Sequence, residues 1–237
     1  MKKLDLFKMG VIFTIIGLTF SSCDKEENEQ IIISDGLVAY LPFNGNANDE
    51  SLNGNDGSVN GATLATDRNN QMDFAYYFDG SSNIQIANSS TFNDMDLFSI
   101  CVWVCPTELK YRDNTIISKV NPNRDFNLKI LKTNMKYEAH FAYGATYYRC
   151  FSEDEVELNK WTHIVYQWTG LKWLLHINGV FVTEVEFSGI VPPWTGAIMA
   201  IGSMNNTEFF TGKIDNIRIY NRILSENEID LIYNDTE

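Results

Sequence analysis

From Gly36 onward the chain alternates. Short runs with a period of two, or continuous β-branched and aromatic stretches, follow one another with Gly, Asn, Asp or Pro between them. The runs are 37–43, 75–78, 83–87, 98–104, 115–119, 126–131, 136–143, 146–151, 161–168, 172–177, 181–187, 197–202 and 212–220. Successive side chains of a strand point to opposite faces, so this period marks half-buried sheet surface. Short strands separated by turn residues predict an antiparallel sandwich or barrel. Asn178-Gly179 lies between Leu174-Leu175-His176-Ile177 and Val180-Phe181-Val182. Both central positions of a two-residue hairpin need positive φ, which Asn and Gly tolerate. One helix is predicted, at the C-terminus. Ser225-Glu226-Asn227-Glu228 is a capping box, and Ile229, Ile232 and Tyr233 form its apolar stripe. About 200 residues without internal repeat read as one large sandwich, not two small domains.

Composition narrows the functions. The 237 residues are 44% hydrophobic and 13% aromatic, which excludes a disordered chain. With 18 Lys+Arg against 31 Asp+Glu the net charge is -13, so no basic face exists for a phosphate backbone and no nucleic-acid partner is expected.

The first 22 residues read as an address. Lys2, Lys3 and Lys8 make a positive start, residues 9–20 an uncharged apolar run too short to span a bilayer, and Ser21-Ser22 precede Cys23. A Cys directly after small residues resembles the lipobox of bacterial lipoproteins, although Phe20 stands where Leu is usual. The resemblance implies a signal peptide over 1–22, lipidation of Cys23 and membrane attachment through the lipid alone. Removing residues 1–22 takes away three Lys and one Asp and moves the charge from -13 to -15. Residues 23–35 form an acidic, self-repelling tether opening Asp24-Lys25-Glu26-Glu27. An acidic stretch after the lipid Cys resembles the signal that sends some lipoproteins to the outer face of the outer membrane; the alternative is a plain spacer in the periplasm.

Three further Cys remain. Cys101 and Cys105 share a strand, roughly 13 Å apart at about 3.3 Å per residue, too far for a disulfide. Either could pair with Cys150 if their strands are neighbours. No zinc spacing occurs.

Several blocks carry a family resemblance. Leu37-Val38-Ala39-Tyr40-Leu41-Pro42-Phe43-Asn44-Gly45, Asn53-Gly54-Asn55-Asp56-Gly57 and Phe78-Asp79-Gly80 come first. Phe98-Ser99-Ile100-Cys101-Val102-Trp103-Val104, Trp161-Thr162-His163 and Asn178-Gly179-Val180 follow, and Gly212-Lys213-Ile214-Asp215-Asn216-Ile217-Arg218-Ile219-Tyr220 closes the series. Together they resemble laminin-G-like, concanavalin A-like jelly-roll domains over residues 36–237. The resemblance implies an all-β, two-sheet antiparallel jelly-roll sandwich. It also implies a structural calcium ion where the Asn/Asp-rich loop meets the last strand, with Asn44, Asp49, Asn55 and Asp215 as ligands. Hard oxygen donors on a Gly-rich loop suit that ion, and equally suit turns.

Catalytic chemistry is not expected. Related glycosidases place acids at alternate positions of one strand; the nearest segment here, Glu153-Asp154-Glu155-Val156-Glu157, lacks the central Asp and reads as a solvated loop. Glu184 and Glu186 read as the outer face of a hairpin, and Trp103, Trp161 and Trp168 as core. Aromatic faces suit sugar rings, which points to Tyr143, Tyr147, Tyr148, Arg149 and Trp194 as ligand-binding residues. The expectation is a non-catalytic, lectin-like lipoprotein of the cell surface binding a glycan or glycoconjugate. The alternatives are an adhesive or structural accessory of a surface complex, and a divergent glycosidase or lyase.

Overall fold

The computed structural model describes residues 33–93, 95–121, 124–143, 146–187 and 196–235. The leader, Cys23, most of the tether and Trp194 lie outside the described residues. The chain forms β1 (Leu37–Leu41), β2 (Gly57–Asn60), β3 (Thr63–Ala65), β4 (Ala75–Asp79), β5 (Asn83–Ile86), β6 (Phe98–Pro106), β7 (Asp113–Asn121) and β8 (Arg124–Leu131). It continues with β9 (Lys136–Tyr143), β10 (Thr146–Phe151), β11 (Thr162–Trp168), β12 (Lys172–Ile177), β13 (Val180–Glu186), β14 (Met199–Ile201), β15 (Thr211–Tyr220) and helix α1 (Glu226–Tyr233).

The strands make two antiparallel sheets. Sheet A runs β13-β12-β11-β6-β15-β4-β3, with β1 also on β15. Sheet B runs β10-β9-β8-β7-β14-β5-β2. Alternation sends Ile100, Val102 and Val104 of β6 and Tyr137, Ala139 and Phe141 of β9 into one core between the sheets. Its densest part is aromatic. The Trp173 ring lies 4.4 Å from Trp168, 4.8 Å from Phe141 and 5.1 Å from Tyr166, centroid to centroid. Fully burying side chains of this kind contributes about 1.5–3 kcal/mol each.

A bulge in β15 between Asp215 and Arg218 divides that strand along one edge. β4 pairs before it, at Thr211 to Ile214, and β1 after it, at Ile217 to Tyr220. The first and last strands are therefore neighbours. At Asn178-Gly179 both φ angles are positive, 50° and 79°, as the hairpin requires. Gly202, with φ 82°, ends β14 where a Cβ would meet Phe78 Cδ1 at 2.4 Å, so no larger residue fits.

The jelly-roll sandwich and C-terminal helix agree with the sequence reading; three details differ. β2 and β3 are strands that polar, largely exposed sequence did not announce. Trp161 precedes β11 and is only half-buried, not core. The Cys101, Cys105 and Cys150 thiols are all free and buried. Cys101 and Cys105 face away from the inter-sheet core, whereas Cys150 points into it from sheet B, so neither pairs with Cys150. Burial pushes the Cys101 and Cys150 thiols up to about 12.

Candidate functional site

The outer faces of both sheets carry polar residues, and their exposure differs: sheet B reaches solvent at Tyr147 and Arg149. On sheet A the helix and the segment before β1 close over Cys101, Val165 and Tyr220 through Leu224, Ile229, Ile232, Ile33 and Leu37. The helix is held as expected: Ser225 Oγ accepts from the Glu228 amide and the Glu228 carboxylate returns to the Ser225 amide. Below its last turn Trp103 stacks on Tyr233 at 5.6 Å and His163 lies 5.1 Å from Trp103. Arg68 donates to Asp215 at 2.6 Å and Arg218 to Asp235 at 2.6 Å, all four nearly enclosed. Neither ring nitrogen of His163 has a hydrogen-bond partner among the described residues. Burial, then the Arg218 and Arg68 charges, holds this imidazole at about 3.

Sheet B presents a different surface. Register aligns Gln85, Ala200, Ser118, Asn127, His140 and Arg149 in one row across its outer face. The adjacent row holds Thr115, Lys129 and Glu138. On the other side, Ala142 pairs with Tyr147. Tyr147 is 56% exposed and the Arg149 guanidinium lies over its ring at 5.0 Å. Behind it Glu138 Oε1 meets His140 Nδ1 at 3.1 Å and Arg149 Nε at 3.4 Å. Lys129 Nζ donates to Asp113 at 2.9 Å.

Several acceptors on this face remain uncommitted. Thr115 Oγ1, Asn127 Oδ1, Glu138 Oε2 and Glu208 Oε2 have no hydrogen-bond partner among the described residues. All four atoms are enclosed, and an orphaned buried polar atom is unfavourable by about 1–3 kcal/mol. A hairpin crosses one end of the face. Met204 and Thr207 exchange amide–carbonyl bonds, and Asn205 and Asn206 between them take φ 50° and 56°. Ser118 Oγ donates to the Ser203 carbonyl at 2.8 Å, and Gln85 Nε2 to Asn206 Oδ1 at 3.2 Å. A depression of about 130 Å³ opens beside the hairpin. Amides of Gln85, Asn205 and Asn206 and the Ser118 hydroxyl ring it, and Val120, Ile198 and Ala200 supply apolar wall. Burial and the neighbouring Asp113 carboxylate push the Glu208 carboxyl up from the usual range.

The residues singled out from sequence separate accordingly. Tyr147 and Arg149 stand together on the open face. Tyr148, one position away, turns inward against Phe187 at 4.7 Å and Phe141 at 6.4 Å. Alternation thus removes Tyr148 from the ligand set. Tyr143 ends β9 beside them, and Trp194 lies outside the described residues. Asn127, Lys129, Glu138 and the 203–208 segment were not anticipated. Each is an unremarkable polar residue until strand register assembles them.

Asn44, Asp49, Asn55 and Asp215 do not fit calcium as one set. Asp49 Oδ1 accepts the Tyr40 and Ser51 amides at 2.8 and 2.9 Å. Its Oδ2 takes the Ser51 hydroxyl and the Asn55 amide at 2.9 and 2.8 Å. The carboxylate therefore ties the loop to β1. Asn44 bonds Glu50 and Asn55 bonds the Val38 carbonyl, both at 2.8 Å, while Asp215 is paired with Arg68 on sheet A. Among the described residues no group of three or more His, Cys, Asp or Glu is placed to hold a metal ion.

Residues 78–230, more than half of the chain, match the family model for the concanavalin A-like lectin/glucanases superfamily. The chain belongs to that superfamily. Its concanavalin A-like sandwich is also similar to human pentraxin-related protein PTX3, with 28% identity over 151 residues. The match covers 57% of this chain and only 38% of that relative's length. Domain 4 of AbnA, a GH43 extracellular arabinanase from Geobacillus stearothermophilus solved with arabinotriose, superposes with a TM-score of 0.71 at 21% identity, covering 82% of this chain and 96% of the domain. The binding domain of botulinum neurotoxin DC, solved with SialylT, gives a TM-score of 0.68 at 14% identity, covering 85% of this chain and 51% of that one. At these identities the likeness is one of fold.

Proposed function

We propose that this concanavalin A-like chain is a non-catalytic saccharide-binding module and that the outer face of sheet B is its binding surface. The observation that carries the reading is the pairing, on one face, of an exposed Tyr147 platform braced by Arg149 with an amide-ringed depression. A sugar offers apolar ring faces and hydroxyl groups, and this surface offers an aromatic plane and the side-chain amides of Gln85, Asn205 and Asn206 to match. The arabinotriose complex of the AbnA domain supports saccharides as the ligand class. β10 lies three strands from β7, roughly 14 Å at about 4.8 Å per strand, so the face spans an oligosaccharide rather than a single ring.

The protein is further proposed to be a lipoprotein, cleaved after residue 22, lipidated at Cys23 and held at the outer surface by the 23–35 tether. Radiolabelled palmitate incorporation, abolished by Cys23→Ala, tests the anchor. A glycan array probed with the chain lacking residues 1–22 tests the function. Saturable binding of an oligosaccharide, lost in Tyr147→Ala and without turnover, is expected. Absence of binding to every saccharide, or hydrolysis of one, overturns it.

A further inference from the structure

Lys129 and Asp113 form a buried ion pair with no part in saccharide binding. They sit on the adjacent strands β8 and β7, where Thr115 pairs directly with Lys129 and Asp113 lies two residues before Thr115. Lys129 Nζ donates to Asp113 Oδ2 at 2.9 Å, and the two side chains are only 7% and 9% exposed. Arg112, itself largely exposed, donates from Nε to the other oxygen of Asp113 at 3.3 Å. Glu138 faces Lys129 in register from β9, and its Oε2 has no hydrogen-bond partner among the described residues; neither has Thr115 Oγ1. Enclosing an ammonium and a carboxylate together is costly, because their attraction returns only part of the lost hydration. An amide between them holds the same two groups with no charge.

Glu208 adds a proton carrier. Its carbonyl accepts the Thr115 amide at 2.9 Å, and its backbone takes φ 48°. A left-handed backbone at a residue other than glycine persists only where its surroundings hold it. Its Oε2 is enclosed and has no hydrogen-bond partner among the described residues. Asp113, Lys129, Arg112 and His140 all act electrostatically on this carboxyl. Burial and then Asp113 raise its pKa, so it keeps a proton more readily than an ordinary glutamate.

We propose that Lys129 and Asp113 condense into an intramolecular amide that cross-links β7 to β8, with Glu208 carrying the proton. First a proton passes along the existing hydrogen bond from Nζ to Oδ2, leaving an amine and a carboxylic acid. The Nζ lone pair then adds to Cγ and makes the Nζ–Cγ bond. Glu208 gives its proton to the Asp113 hydroxyl, the bond from Cγ to that oxygen breaks, and water leaves. Nζ returns one proton to Glu208. One ammonium and one carboxylate become one amide and one water, with no change of oxidation state. Holding the partners 2.9 Å apart supplies the proximity that free side chains in solution lack. Trypsin digestion of the full chain with mass spectrometry reads the bond. Peptides 113–119 and 125–132 are expected joined, at their summed mass less one water, because trypsin no longer cuts after Lys129. Separate peptides 113–119 and 125–129 leave an ion pair only and overturn the proposal. A one-water loss from the whole chain with those peptides free also overturns it, since cyclisation at an Asp-Gly pair elsewhere produces that mass. Lys129→Arg keeps the charge and should give no joined peptide. In freshly synthesised chain Glu208→Gln should form the bond about a hundredfold more slowly; an unchanged rate overturns the part assigned to Glu208.

Discussion

The outer faces of the two sheets contain similar chemistry and put it to opposite use. On sheet A, Arg68 pairs with Asp215 and Arg218 with Asp235, all four buried. On sheet B, Lys129, Asp113, Glu138 and Arg149 also pair, and beside them the Tyr147 ring stands in solvent. A covered polar face must balance internally, because an unpaired buried charge is expensive.

The largest effect should come from unbalancing the covered face. Asp235→Ala removes the carboxylate that Arg218 donates to, and losing one partner of a buried pair is destabilising by about 3–5 kcal/mol. Differential scanning calorimetry should register a Tm fall of roughly 10 °C or more; a change of a degree would show that this face is not sealed. Acid should act on the same region. His163 is neutral when folded, with its value lowered from 6.5 to about 3. Its contribution is complete above pH 6.5 and declines as pH falls toward 3. Between pH 7 and 5 the loss is about 2 kcal/mol. Urea titrations at the two pH values measure it, and His163→Phe should flatten the dependence.

At the exposed Tyr147 the expectation reverses. Tyr147→Ala should change stability by no more than about 0.5 kcal/mol while weakening saccharide binding about tenfold. Equal losses of stability and binding would erase the distinction between the faces. The smallest effect concerns the loop around Asp49, whose carboxylate is already engaged by N–H and O–H donors. A chelator should leave Tm within about a degree. A larger fall would place a cation there after all.

Periodicity made the sandwich readable, because alternation survives in every strand that lines the core. The runs at 136–143 and 146–151 coincide with β9 and β10. Asn178-Gly179 and the Ser225 capping box were equally legible, since each is a local signal whose chemistry lies within a few residues. β2 and β3 escaped because they are short and mostly exposed. The site was half legible. Tyr147 and Arg149 are conspicuous in sequence, and alternation alone should have excluded Tyr148. Glu138 and Lys129 become neighbours only through the β8–β9 register, and the 203–208 segment joins them from far along the chain. Asp215, placed beside the loop by resemblance, instead met Arg68, 147 positions away in sequence.

The pairing of β1 with β15 has a directional consequence. Ile33 packs with the helix on the outside of sheet A, and Asp35 meets Arg222 there at 3.1 Å. Ile33 thus lies on the surface opposite the Tyr147 face. A module attached on that side would carry its helix toward the attachment point and turn the sheet that bears Tyr147 to the surroundings.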